Sequence, residues 1–141
     1  MKLPPLIEGT FLRRYKRFFA DILLPDGQTL ITHTPNTGRL LGCQREGAPA
    51  WVSEADNPAR KLRYTWELIR LGRTMVGVNT LLANRLAEEA IAAKRIPELA
   101  GWQTLRREVK YGTNSRIDLL LEDPERSPCY VEVKNVSLVR D

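Results

Sequence analysis

The sequence predicts an α+β chain, with an OB-like β-barrel over residues 1–76 followed by a helix and three strands over residues 77–141. Three observations lead there. Short β-rich runs alternate with strong turn signals through the first 75 or so residues. The pattern then changes to helical spacing between Asn79 and Lys94. Finally, Ser115 to Val136 reads as a hairpin, two β-rich runs on either side of the seven-residue stretch E-D-P-E-R-S-P.

The elements follow in order. Residues 11–24 form one long β-rich stretch, ended by Pro25-Asp26-Gly27. Thr29 to Thr34 is the next strand, and Pro35-Asn36-Thr37-Gly38 the next turn. His33 and Asn36 are assigned to turn structure, with Asn36 and Gly38 suited to left-handed backbone. Ala50 to Ser53 and Leu62 to Leu71 are strands, and Arg70 to Arg73 turns into Met75 to Val78. About five short strands in this length fit a small closed barrel of the OB type, with a small sandwich as the alternative. Asn79 or Thr80 caps a helix that runs to Ala93 or Lys94, and Pro97 bars its extension. Leu82, Leu86 and Ala90 recur at helical spacing as the buried stripe, with Glu89 on its edge. Thr104 to Tyr111 is a strand, and Gly112-Thr113-Asn114 turns it into the hairpin.

The hairpin carries the chemistry. If it is symmetric about Glu125, Asp118 lies opposite Glu132, and facing Cβ atoms are roughly 4.5–5.5 Å apart. Two carboxylates at that range repel by about 3 kcal/mol at an effective dielectric of ~20. A divalent cation would relieve this, because it takes carboxylate oxygens. Side chains alternate along a strand, so Lys134 shares the face of Glu132. An Asp beside Glu-x-Lys on a neighbouring strand is the constellation of a metal-dependent phosphodiesterase. The plainer reading is a solvated hairpin on which Lys134 neutralises Glu132. Against it stand the apolar residues on both faces: Ile117, Leu119 and Leu121 on one, Leu120 and Tyr130 beside the acids.

Composition narrows the function classes. Hydrophobic residues at 43% suffice for a core, and charged residues at 28% predict a soluble chain. No apolar run reaches the 18 or more residues needed to span a membrane, and the N-terminus lacks a signal-peptide core. Cys43 and Cys129 lack metal-ligand spacing and suit reduced thiols in a cytoplasmic protein. A single His33 excludes a histidine-based triad or a zinc site built on several histidines. The net charge of +5 and pI near 9.5 suit a polyanion partner. Arg13, Arg14, Lys16 and Arg17 crowd around Tyr15, Phe18 and Phe19; Arg60, Lys61 and Arg63 adjoin Tyr64 and Trp66; Arg106, Arg107 and Lys110 precede the hairpin. Basic residues interleaved with aromatics supply phosphate contacts and base stacking, which favours nucleic acid.

Several phrases go beyond generic pattern. Y-K-R-F-F-A-D (15–21), H-T-P-N-T-G (33–38), T-W-E-L (65–68), V-N-T-L-L-A-N-R-L (78–86), E-V-K-Y-G (108–112), S-R-I-D-L-L-L (115–121) and C-Y-V-E-V-K-N-V-S-L (129–138) resemble the sugar fermentation stimulation protein A family, in order and with family-like spacing. The resemblance implies an N-terminal OB-like barrel and a partial αβββ domain of the PD-(D/E)xK nuclease superfamily, here without its C-terminal part. It further implies sequence-nonspecific DNA binding, a regulatory role in sugar (maltose) metabolism and a Mg²⁺ or Mn²⁺ site. Residue by residue, it places Asp118 and Glu132 as metal ligands, Lys134 as the catalytic cation and Glu89 as an additional acid on the helix. Arg13, Arg14, Lys16, Arg17, Arg60, Lys61, Arg106 and Arg107 are the residues expected on DNA. A chain ending soon after the Glu-x-Lys strand also predicts exposed apolar surface and an unpaired sheet edge. Two readings compete with a DNA-binding protein that carries a nuclease-like site: an active Mg²⁺-dependent endonuclease, and a regulator whose acidic pair is only structural. Oligomer formation is left open.

Overall fold

The computed structural model describes residues 1–139, in which the described residues form two units. The first comprises Lys2 to Leu81 together with Asn135 to Val139, and the second Leu82 to Lys134 together with Met1.

The first unit is built from β1 (Leu6–Tyr15), β2 (Phe19–Leu23), β3 (Thr29–His33), β4 (Pro49–Glu54), β5 (Tyr64–Leu71) and β6 (Thr74–Gly77). The expected single stretch over 11–24 is two strands. Lys16 and Arg17 both adopt left-handed backbone, φ 50° and 64°, and reverse the chain. Sequence rules reserve that conformation for Gly, Asn and Asp, so no turn signal marked the place. Tertiary contacts hold it: the Arg14 guanidinium donates to the carbonyls of Arg17 (2.9 Å), Asn36 (2.7 Å) and Gly38 (2.6 Å).

The strands are ordered β3-β2-β1-β4-β5-β6, and β3 also meets β5 in parallel at Thr32↔Tyr64 and His33↔Thr65. The ring β1-β2-β3-β5-β4 is thus joined on its last side by only two residue pairs, a partly open barrel of the OB kind. Its interior holds Phe11, Ile22, Val52, Trp66, Ile69 and Val78, with Phe11 and Trp66 stacked at 4.9 Å. Gly9 is where β1 passes closest to β2: a Cβ there would stand 2.6 Å from Ile22 Cγ2 and 2.8 Å from the Leu23 carbonyl oxygen.

The Pro35 to Gly38 turn differs from expectation in one respect. Asn36 makes an Asx turn, its Oδ1 accepting the Gly38 N–H at 2.8 Å, but neither residue is left-handed; Leu40 and Gly42 are. Farther on, Asn135 donates to the Gly77 carbonyl at 3.3 Å, Cys43 Sγ–H to the Ser137 carbonyl at 3.0 Å, and Val139 packs on the barrel core. Both cysteines are free thiols.

Helix α1 (Thr80–Ala92) is capped by Asn79, whose Oδ1 accepts the Leu81 N–H at 3.0 Å. The second unit then adds a short 3-10 turn (Pro97–Leu99) and the antiparallel sheet β7-β8-β9, with β7 Thr104–Tyr111, β8 Ser115–Asp123 and β9 Arg126–Val131. Its core is Ile91, Leu119 and Leu121, with Ala87, Trp102, Leu105, Val131 and Val133 against it. The helical stripe is a correction: Leu86 is exposed, and Ala87 and Ile91 face the core. The apolar periodicity of this segment admits two stripes, and packing on the sheet selects the one from Asn84 through Ala87 and Glu88 to Ile91. The hairpin loop is also shorter than expected. Both strands run into E-D-P-E-R-S-P, leaving Pro124 and Glu125 at the turn, where Asp123 Oδ1 accepts the Glu125 N–H at 3.0 Å.

Candidate functional site

The register of the β8–β9 hairpin pairs Leu119 with Val131, Leu120 with Tyr130 and Leu121 with Cys129. The paired register ends there, with β9 at Val131; Asp118 and Glu132 are the next residue on each side, the two that symmetry about Glu125 predicts to face each other. The carboxylates have partners. Asp118 Oδ1 accepts from Asn84 Nδ2 at 3.1 Å, and Oδ2 accepts the Val133 N–H at 2.7 Å. Glu132 Oε1 meets Lys134 Nζ at 2.6 Å, both side chains being exposed. These partners offset part of the repulsion expected between the two acids. The Lys134 ammonium is held above the ordinary lysine range by its hydrogen bond to Glu132, by the charge of Glu132 and, more weakly, by that of Asp118. Lys134 thus senses both acids and remains a cation at neutral pH.

Asn84 is the site residue that the sequence reading missed. It projects from α1 on the stripe that faces the sheet, and only the correct choice of stripe would have found it. Glu89 lies off that stripe, and its Oε1 pairs with the N-terminal ammonium of Met1 at 2.7 Å. Glu88, on the stripe, pairs with Arg107 at 3.3 Å. Among the described residues no three Asp, Glu, His or Cys side chains converge as a metal cluster. What the hairpin offers a hard cation is two carboxylates, which fits a weakly held ion with water in most remaining positions.

The basic residues divide into engaged and available ones. Arg13 pairs with Asp21 at 3.0 Å and lies over the Tyr15 ring at 4.5 Å. Arg14 is spent on the three carbonyls of the turn. Arg106 pairs with Glu122 at 2.7 Å and Arg107 with Glu88. Arg60 donates to His33 Nδ1 at 3.1 Å and to Thr65 Oγ1 at 3.3 Å. The bond requires the neutral imidazole, and burial together with Arg60 holds His33 below its ordinary value. Lys16, Arg17 and Lys61 make no ion pair among the described residues. Lys16 and Arg17 stand at the turn, next to the exposed Phe18.

That turn borders a recess of about 250 Å³ lined by Arg14, Tyr15, Lys16, Arg17, Gly38, Arg39 and Gln44. Arg39 was not singled out from the sequence, because no aromatic residue stands beside it. Pairing of Phe19 with His33 puts the start of β2 and the end of β3 at one end of the barrel, and Arg60 brings the β4–β5 loop to the same end.

Comparison with known proteins follows this division. Residues 12–78 match the SfsA N-terminal OB domain, and residues 81–141 the sugar fermentation stimulation protein RE domain. A sugar fermentation stimulation protein homolog of Rhodospirillum centenum is 60% identical over 99% of this chain and 60% of its own length. One of Maricaulis maris is 58% identical over 96% of this chain and 58% of its own. The chain spans about 60% of the length of these curated relatives. A solved structure, Pyrococcus furiosus SfsA in complex with Ca²⁺, superposes with a TM-score of 0.80 at 27% identity, covering 94% of this chain and 55% of that one.

Proposed function

The chain belongs to the sugar fermentation stimulation protein family, and we propose that its barrel binds DNA without regard to sequence while its second unit carries a weak, nuclease-like divalent-cation site. The observation that carries the first half is the barrel end where Lys16, Arg17 and Lys61 stand without acidic partners beside the exposed Phe18. In OB folds the loop between the first two strands and the loop between the fourth and fifth take oligonucleotides. Here those loops hold the available cations. Arg14 organises this surface from beneath rather than touching phosphate, and Arg60 is kept in reserve by His33.

For the second half, Asp118 and Glu132 would hold the ion; the similar Pyrococcus furiosus SfsA, solved in complex with Ca²⁺, supports a divalent cation. A bound Mg²⁺ or Mn²⁺ supplies polarisation of a phosphate and a bound water of lowered pKa. The protein's own contribution is to fix Asp118 through Asn84 and Val133 and to keep Lys134 charged beside it. Lys134 makes hydrolysis of a DNA phosphodiester the second reading, because an ammonium next to two acids stabilises negative charge on a transferring phosphate. Regulation of sugar (maltose) metabolism is the physiological setting this reading assigns.

The test is DNA affinity against salt concentration. Binding should weaken steeply with salt and vary little with sequence. Lys16→Ala and Arg17→Ala should each lower the salt slope by about one unit across all duplexes. Binding that survives high salt, or slopes unchanged by both substitutions, would remove the barrel end from the interface. Hydrolysis, where present, should vanish in Asp118→Asn, Glu132→Gln and Lys134→Ala.

A further inference from the structure

Two tyrosines of the second unit stand side by side and exposed. Tyr111 is 45% exposed and Tyr130 56%, and their ring centroids are 5.9 Å apart with an interplanar angle of 53°. Cations stand on the Tyr111 side, where Lys110 pairs across the sheet with Arg116, one step from Tyr111. Lys110 and Arg116 line a recess of about 230 Å³ at the turn, with Gly112, Thr113, Asn114 and Ser115. Neither cation makes an ion pair among the described residues. Tyr130 lies two residues before Glu132, so alternation puts it on the acids' face.

We infer that Tyr111 and Tyr130 form a stacking platform for unpaired bases of single-stranded nucleic acid, with Lys110 and Arg116 taking the adjoining phosphates. Every base has a π-face, so such a platform is tolerant of sequence. Duplex DNA keeps its bases stacked and cannot use it. The platform gives the second unit a preference for single strands that the basic barrel end, reading phosphates, does not supply. It rests on the DNA-binding reading above and deepens it by naming the strand state.

The experiment compares three probes on the whole chain: oligo(dT), an abasic oligomer of the same length and charge, and a duplex. Oligo(dT) should bind roughly tenfold more tightly than the abasic oligomer, in line with base–aromatic stacking. Tyr111→Ala and Tyr130→Ala should each remove most of that ratio while leaving duplex affinity unchanged. Tyr111→Phe and Tyr130→Phe should keep it, since the ring remains. Equal affinity for oligo(dT) and the abasic oligomer, or Ala variants with the wild-type ratio, would overturn the inference and leave duplex binding standing. A tyrosine pair serving only to brace the sheet would show itself the same way, with lowered melting temperature and an unaltered ratio. Failure of all three probes to bind would overturn both this inference and the DNA-binding reading.

Discussion

Asp118→Asn separates what the carboxylate does for the fold from what it does for a cation. In the native protein one oxygen accepts from Asn84 Nδ2 and the other from the Val133 N–H. An asparagine keeps one acceptor and turns an NH₂ toward the second donor, so one bond is lost whichever way the amide is set. A hydrogen bond to a charged group contributes about 1.5–3 kcal/mol, and the half-buried setting puts the expectation at the low end, ~1.5 kcal/mol. With a urea slope of about 1.5 kcal/mol/M, the unfolding midpoint should fall by roughly 1 M. The cation adds a second, independent measurement. For a dissociation constant on the order of 1 mM, about 10 mM Mg²⁺, Mn²⁺ or Ca²⁺ should stabilise the wild type by ~1.4 kcal/mol and Asp118→Asn not at all. A cycle with Asn84→Ala should show coupling of at least ~0.5 kcal/mol, since the two side chains share a bond. An Asp118→Asn protein as stable as the wild type, or one still stabilised by the cation, would refute the account of this carboxylate.

Three further outcomes follow from particular contacts. Gly9→Ala should destabilise the barrel by about 1–3 kcal/mol in urea unfolding, because its Cβ meets Ile22 and the β2 backbone in a packed interior. Glu67 is 4% exposed and accepts from Ser53 at 2.8 Å and Asn79 at 2.9 Å, so Glu67→Ala strands two buried donors at about 1–3 kcal/mol each; Glu67→Gln, which keeps one acceptor, should lose less. His33 is held below its unfolded value of about 6.5. The unfolded chain therefore takes the proton first as pH falls. Stability from this group is full above about pH 6.5 and is lost as pH drops through the folded value. Melting temperatures at pH 8 and pH 5 should differ less in His33→Gln than in the wild type, and an equal difference would assign the pH response elsewhere.

By itself the sequence determined the order and kind of nearly every element, since hydrophobic period and turn residues are local signals. Symmetry about Glu125 also anticipated the pairing of Leu119 with Val131, Leu120 with Tyr130 and Leu121 with Cys129, because a short turn between two apolar runs leaves few registers. Tertiary structure decided the remainder. It bent the chain at Lys16 and Arg17, residues that adopt left-handed backbone only because Arg14 ties the turn to the carbonyls of Asn36 and Gly38, twenty or so residues away. It chose the stripe of α1 that carries Asn84, because a helix with leucines and alanines on several sides is oriented by the surface it packs on. It also decided which cations are available. Arg13, Arg14, Arg106 and Arg107 read as phosphate ligands in one dimension. Folding brings each beside an acid or a carbonyl, and leaves Lys16, Arg17, Lys61 and Lys110 without an ion pair among the described residues, because charge is neutralised by neighbours in space and not by neighbours in sequence.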